Sequence, residues 1–185
     1  MIPVTSLWLP IIASTAGCFV ASSILWMASP LHKGDYKKFD HEDDLIGVIK
    51  KSGATGGLFM FPYCTHGGKP DEAAIAKYKA GPCGTLLIRH GGYSMGKPLA
   101  IWFVHLLLVC TFIAYLAGLA VPPGADLMSV SQIVGTAALL AFAGATLPEL
   151  AWKGTPGRNC VASLVDALIY TVIVCAAFGF LWPKA

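Results

Sequence analysis

The sequence predicts an all-α membrane protein, a four-transmembrane-helix bundle with a small α/β cytoplasmic lobe between helices 1 and 2. Three observations carry this. Of the 185 residues 56% are hydrophobic and 12% charged, about half the charge of an ordinary soluble domain. The apolar residues gather into four stretches, each long enough for a hydrocarbon core that takes about 20 helical residues. Most of the charge is confined to one polar insert. The chain therefore divides into residues 1–30, transmembrane helix 1; residues 31–96, the cytoplasmic insert; and residues 97–185, transmembrane helices 2–4. A net charge of +3 is too small for a nucleic-acid surface, and the composition disfavours a free cytosolic enzyme.

The first span runs from about Ser6 to Ser29. A secretory leader opens on a positive region and has a short apolar core, whereas no Lys or Arg precedes Lys33 and the apolar run is longer. A retained helix is expected. Ala13, Gly17 and Ala21 place small residues every fourth position along it, the pattern that lets helices approach closely.

The insert is too long for a turn and carries element signals of its own. Phe39 to Ser52 reads as a short helix, with Asp40 as N-cap, acids at Glu42, Asp43 and Asp44, bases at Lys50 and Lys51, and Gly53 beyond. Pro70 to Ala80 repeats that grammar. Leu58 to Phe61 and Thr85 to Ile88 are short apolar runs bounded by Gly and Pro, which suits strands.

The remaining spans are Pro98 to Ala120, Ser129 to Leu147 and about Cys160 to Leu181. Trp8, Trp26, Trp152 and Trp182 stand near span ends, where an amphipathic ring prefers the interface. Ala137, Ala141 and Ala145 form a second small-residue stripe, on span three, able to serve either the bundle or a partner subunit. Inside the spans the ionisable side chains are His105 and Asp166, about 12 Å and about 9 Å from the same end at 1.5 Å per residue. A carboxylate in hydrocarbon costs at least about 2.5 kcal/mol and turns towards a partner, so His105 and Asp166 are expected to pair. Glu149, at the inner end of span three, lies close enough to the interface to find Lys153 or Arg158.

Orientation follows from the bases. Ten of the 13 Lys and Arg lie between Lys33 and Lys97, and Lys153 and Arg158 lie between spans three and four, while Val121 to Met128 has none. Basic loops stay in the cytoplasm, which puts the N-terminus outside and residues 31–96 inside.

Chemical motifs are sparse. Cys64, His66, Cys83 and His90 supply thiolate and imidazole, the zinc combination, but Cys64-Thr65-His66 is too tight for ordinary ligand pairs and no C-x-x-C occurs, so metal binding is the lesser reading. Gly53-Ala54-Thr55-Gly56-Gly57 lacks the order of a phosphate loop.

Ser6-Leu7-Trp8-Leu9-Pro10, the Pro30-Leu31-His32-Lys33-Gly34-Asp35-Tyr36 junction, Phe59-Met60-Phe61-Pro62, Gly81-Pro82, Met95-Gly96-Lys97 and Ala114-Tyr115-Leu116-Ala117-Gly118 together resemble a family of small uncharacterised bacterial membrane proteins. The resemblance covers the whole chain and implies a bacterial inner-membrane location without an activity. The expected role is a non-catalytic accessory or scaffold subunit that needs no cofactor, sits in a lipid bilayer and assembles with itself or with other membrane subunits. The alternative is a small homo-oligomeric ion or proton channel using His105, Asp166 and Glu149.

Overall fold

The computed structural model describes residues 1–63, 72–91 and 94–185. They form two compact units, Met1–Tyr36 with Ser94–Ala185, and Lys37–Tyr93.

The first unit opens with a 3₁₀ turn at Val4–Leu7 and then α1, Trp8–Met27. After the second unit, described below, which holds α2 and α3, come α4 (Gly96–Ala120), α5 (Leu127–Ala143), α6 (Thr146–Lys153) and α7 (Gly157–Phe180). Among the described residues there are thus four helical segments long and apolar enough to cross a membrane, with α5 and α6 together making the third. Span three is expected as one helix to Leu147 but divides at Gly144 and Ala145. Pro148 explains the division: it has no N–H for the Gly144 carbonyl, and its ring crowds that carbonyl. The other boundaries follow local chemistry. Pro98 sits in the first turn of α4, where an N–H has no partner within the helix. Asp126 caps α5, accepting from the amides of Met128 and Ser129 at 2.8 and 3.0 Å, and α6 stops at Gly154, whose φ of 68° is left-handed.

The four spans form a ring in which α1 packs on α4 and α7, and α5 packs on the same two. Small residues set its tightness. Ala114 and Ala117 of α4 and Ala138 of α5 are buried beside Cys18, Cys110, Val134 and Val174. A methyl group added at Gly17 would meet Ile173, and one at Gly135 would meet the Cys175 sulfur. The stripes divide accordingly. Gly17 faces α7, Ala21 and Ala137 pack on the core, and Ala141 and Ala145 are exposed.

At one end of the ring the first residues are tied to the last turn of α4 and the last residues to the α4–α5 connection. The Ile2 amide donates to the Gly118 carbonyl at 2.8 Å, the Gly124 amide to the Pro183 carbonyl at 2.8 Å, and Trp182 Nε1 to the Pro122 carbonyl at 2.9 Å.

The second unit contains α2 (Glu42–Lys51), β1 (Gly57–Phe61), α3 (Glu72–Ala80) and β2 (Gly84–Ile88). The strands pair antiparallel, with Phe59 opposite Leu86. Helix α2 starts later than the sequence suggests, behind His41 rather than Asp40, and with no side-chain cap; Glu42, Asp43 and Asp44 crowd its first turn, where acids favour the helix dipole. The unit itself begins at Lys37 rather than residue 31, because the stretch after α1 is bonded into the helical unit.

Candidate functional site: a buried histidine between two carboxylates

Helix α1 ends at Met27, and the chain does not leave the bundle there. Ser29 Oγ donates to the Leu25 carbonyl at 2.7 Å and accepts from the Leu31 amide at 3.2 Å. The turn closes with the Lys33 amide on the Pro30 carbonyl and the Asp35 amide on the His32 carbonyl at 3.1 Å. This short turn directs His32 inward, where its side chain is 3% exposed.

Both ring nitrogens of His32 meet carboxylates. Nδ1 lies 2.6 Å from Asp35 Oδ2, and Nε2 lies 3.0 Å from Asp166 Oδ2 on α7. The Trp26 indole stacks on the imidazole, with centroids 4.0 Å apart and planes at 8°. Asp35 is held in turn by α7: Arg158 Nη1 donates to Asp35 Oδ1 at 3.2 Å, Arg158 Nη2 to the Leu31 carbonyl at 3.2 Å, and Asn159 Nδ2 to the Asp35 carbonyl at 3.3 Å. Gly34 gives the guanidinium room, since a methyl group there would collide with Arg158.

The proton count follows from the donors. A neutral imidazole carries one N–H, so two hydrogen bonds to carboxylates require a second proton, on the ring or on a carboxyl. With His32 as imidazolium, His32 and the exposed Arg158 balance Asp35 and Asp166, and the set is neutral. Asp166 Oδ1 is buried and has no hydrogen-bond partner among the described residues.

Asp166 therefore pairs with His32, and a direct bond to His105 is not formed. His105 is exposed and stacks on Trp102 at 5.3 Å. The reason lies in azimuth and ring order. Helix α4 buries Leu106, Cys110, Ile113 and Ala117, while residue 105 falls with Ile101, Leu108 and Phe112 on the outer face. Helices α4 and α7 also stand across the ring from each other. Trp102 Nε1 instead donates to Ser22 Oγ on α1 at 2.9 Å. Glu149 pairs with Lys153 at 2.9 Å on exposed side chains, a contact worth little, whereas Arg158 is committed to Asp35.

Sequence reasoning singled out Asp166 and Arg158, but as partners of His105 and Glu149, and missed His32, Asp35 and Asn159. The readable signal was His32 and Asp35 three residues apart, with Gly34 between, immediately after a span. Of the thiol and imidazole set, Cys64 and His66 lie outside the described residues, Cys83 is exposed, and the His90 ring packs over Gly56. Among the described residues no three His, Cys, Asp or Glu side chains converge as metal ligands. Comparison with protein-family models, curated proteins and solved structures finds no match.

Proposed function

We propose that this chain is a multi-pass protein of the bacterial inner membrane, with its N-terminus outside and residues 31–96 in the cytoplasm, and that it acts as a non-catalytic accessory or scaffold subunit. One observation carries the non-catalytic reading. The buried imidazole is spent on the fold: both His32 nitrogens are taken by Asp35 and Asp166, and at 3% exposure the ring offers no free nitrogen to a substrate. The cluster joins the end of α1 to the start of α7, as a clamp does.

Four apolar helices and the confinement of bases to one set of loops support membrane residence and this orientation; the resemblance to small bacterial membrane proteins supports the location. Assembly is supported by the outer part of the span-three stripe, where Ala141 of α5 is exposed beside Leu140 and Ala145 is exposed in the break after it, since small residues allow a second helix to approach closely. The channel alternative gains nothing comparable, because His105, Asp166 and Glu149 lie in three separate settings.

The test is native mass spectrometry of the full chain after gentle detergent extraction. Oligomers or co-purifying subunits are expected in the wild type, and Ala141→Leu should remove them while leaving an intact monomer. A wild type that is monomeric and alone overturns the assembly reading.

A further inference from the structure

A groove of about 680 Å³ runs between the last turn of α1 and the first turns of α7, within the size range of ligand sites. Its walls are apolar except for Ser29, formed otherwise by Leu25, Pro30, Leu31, Val161 and Ala162, and one charged group, Arg158, also lines it. We propose that this groove is a binding site for one anionic phospholipid, with an acyl chain along Leu25, Val161 and Ala162 and the headgroup phosphate on the Arg158 guanidinium.

Position, fixation and charge argue for this occupant. The groove lies where two adjacent spans end, at headgroup depth in any bilayer these helices cross, and basic pockets between spans suit anionic headgroups. Arg158 is fixed before any lipid arrives: it rests over Gly34 and donates to Asp35 and to the Leu31 carbonyl. A guanidinium has five N–H donors in a rigid fork, so these two bonds leave others for a phosphate. The neighbouring acid is covered by its own ion pair. The Asp35 side chain is 6% exposed, against 54% for Arg158, so the carboxylate lies beneath the guanidinium, and both its oxygens are engaged by His32 and Arg158. Lys33, exposed on the same turn, adds positive charge. The site does not depend on whether the protein assembles.

The full chain, delipidated in a neutral detergent, is melted with phosphatidylglycerol, with phosphatidylcholine of the same chains, and with inorganic phosphate. Phosphatidylglycerol should raise the Tm by about 3 °C more than phosphatidylcholine, and phosphate should leave it unchanged. Val161→Trp fills the groove from a wall that is 61% exposed without touching the Arg158 contacts, and should abolish the shift from phosphatidylglycerol; Arg158→Gln should bring the two lipids level. Equal shifts from the two lipids in the wild type, a shift from phosphate alone, or a preference that survives Val161→Trp would each overturn the proposal.

Discussion

Removing the His32 side chain would leave Asp35 and Asp166 buried without the imidazole that joins them. Breaking a buried pair by deleting one partner costs about 3–5 kcal/mol, so His32→Leu should be among the most damaging single changes in the chain. Asp166→Leu should also be costly, but the double change should cost less than the sum, with a coupling of about 1–3 kcal/mol in detergent melts; strict additivity would show that the two groups do not interact. His105→Leu, on the outer face, should shift stability by no more than about 0.5 kcal/mol, and a large loss there would contradict the outward placement. Outside the spans, Asp126 gives a pH signature. Its carboxyl is held below the usual carboxylate range, first by the backbone amide of Ser129, then by the Ser129 hydroxyl, with the Met128 amide adding less. The folded state thus binds the Asp126 proton less readily than the unfolded state. The cap's contribution is complete above the ordinary carboxylate pKa and is lost as pH falls through the lowered value. Melts of wild type and Asp126→Ala should therefore differ at neutral pH and converge in acid.

Spans were legible as elements because hydropathy over about 20 residues depends on composition rather than on packing. Ser6 to Ser29 and Pro98 to Ala120 match α1 and α4 to within a few residues. Position around the helix axis was not legible. Counting residues along α4 and α7 puts His105 and Asp166 at similar depths, but depth does not tell which face a residue occupies or which helices are neighbours. His32 was hidden for a related reason: it lies outside every apolar window, and only the turn after α1 brings it under α7. The small-residue stripe on α1 was visible as a pattern, while its occupant, Ile173 of α7, was not. Gly17→Leu should consequently damage the monomer's own fold, with a melting loss equivalent to about 1–3 kcal/mol for overpacking; a fully stable monomer that merely loses oligomers would place that face outside the bundle. Gly118→Ala should loosen the N-terminal segment, because the added methyl would collide with the Ile2 carbonyl oxygen, and faster exchange of the Ile2 amide would report it.

At the scale of the whole molecule the orientation is open to a direct check. In a background with Cys64 and Cys83 replaced by Ser, a membrane-impermeant thiol reagent should reach an engineered cysteine beside Asp126 in intact cells and should not reach one beside Lys77. Labelling of the second site alone would invert the topology. The bonds that fasten the termini have a consequence for the order of the chain. Ile2 is held at Gly118 in the last turn of α4 and Pro183 at Gly124 in the connection that follows, and α1 already packs against α7. A linker of glycines from Ala185 to Met1 would close the polypeptide into a loop, its cost growing only slowly with the length needed. Opened between α2 and β1, such a circular permutant would be synthesised with span two first and span one last, yet every helix would keep its two neighbours in the ring.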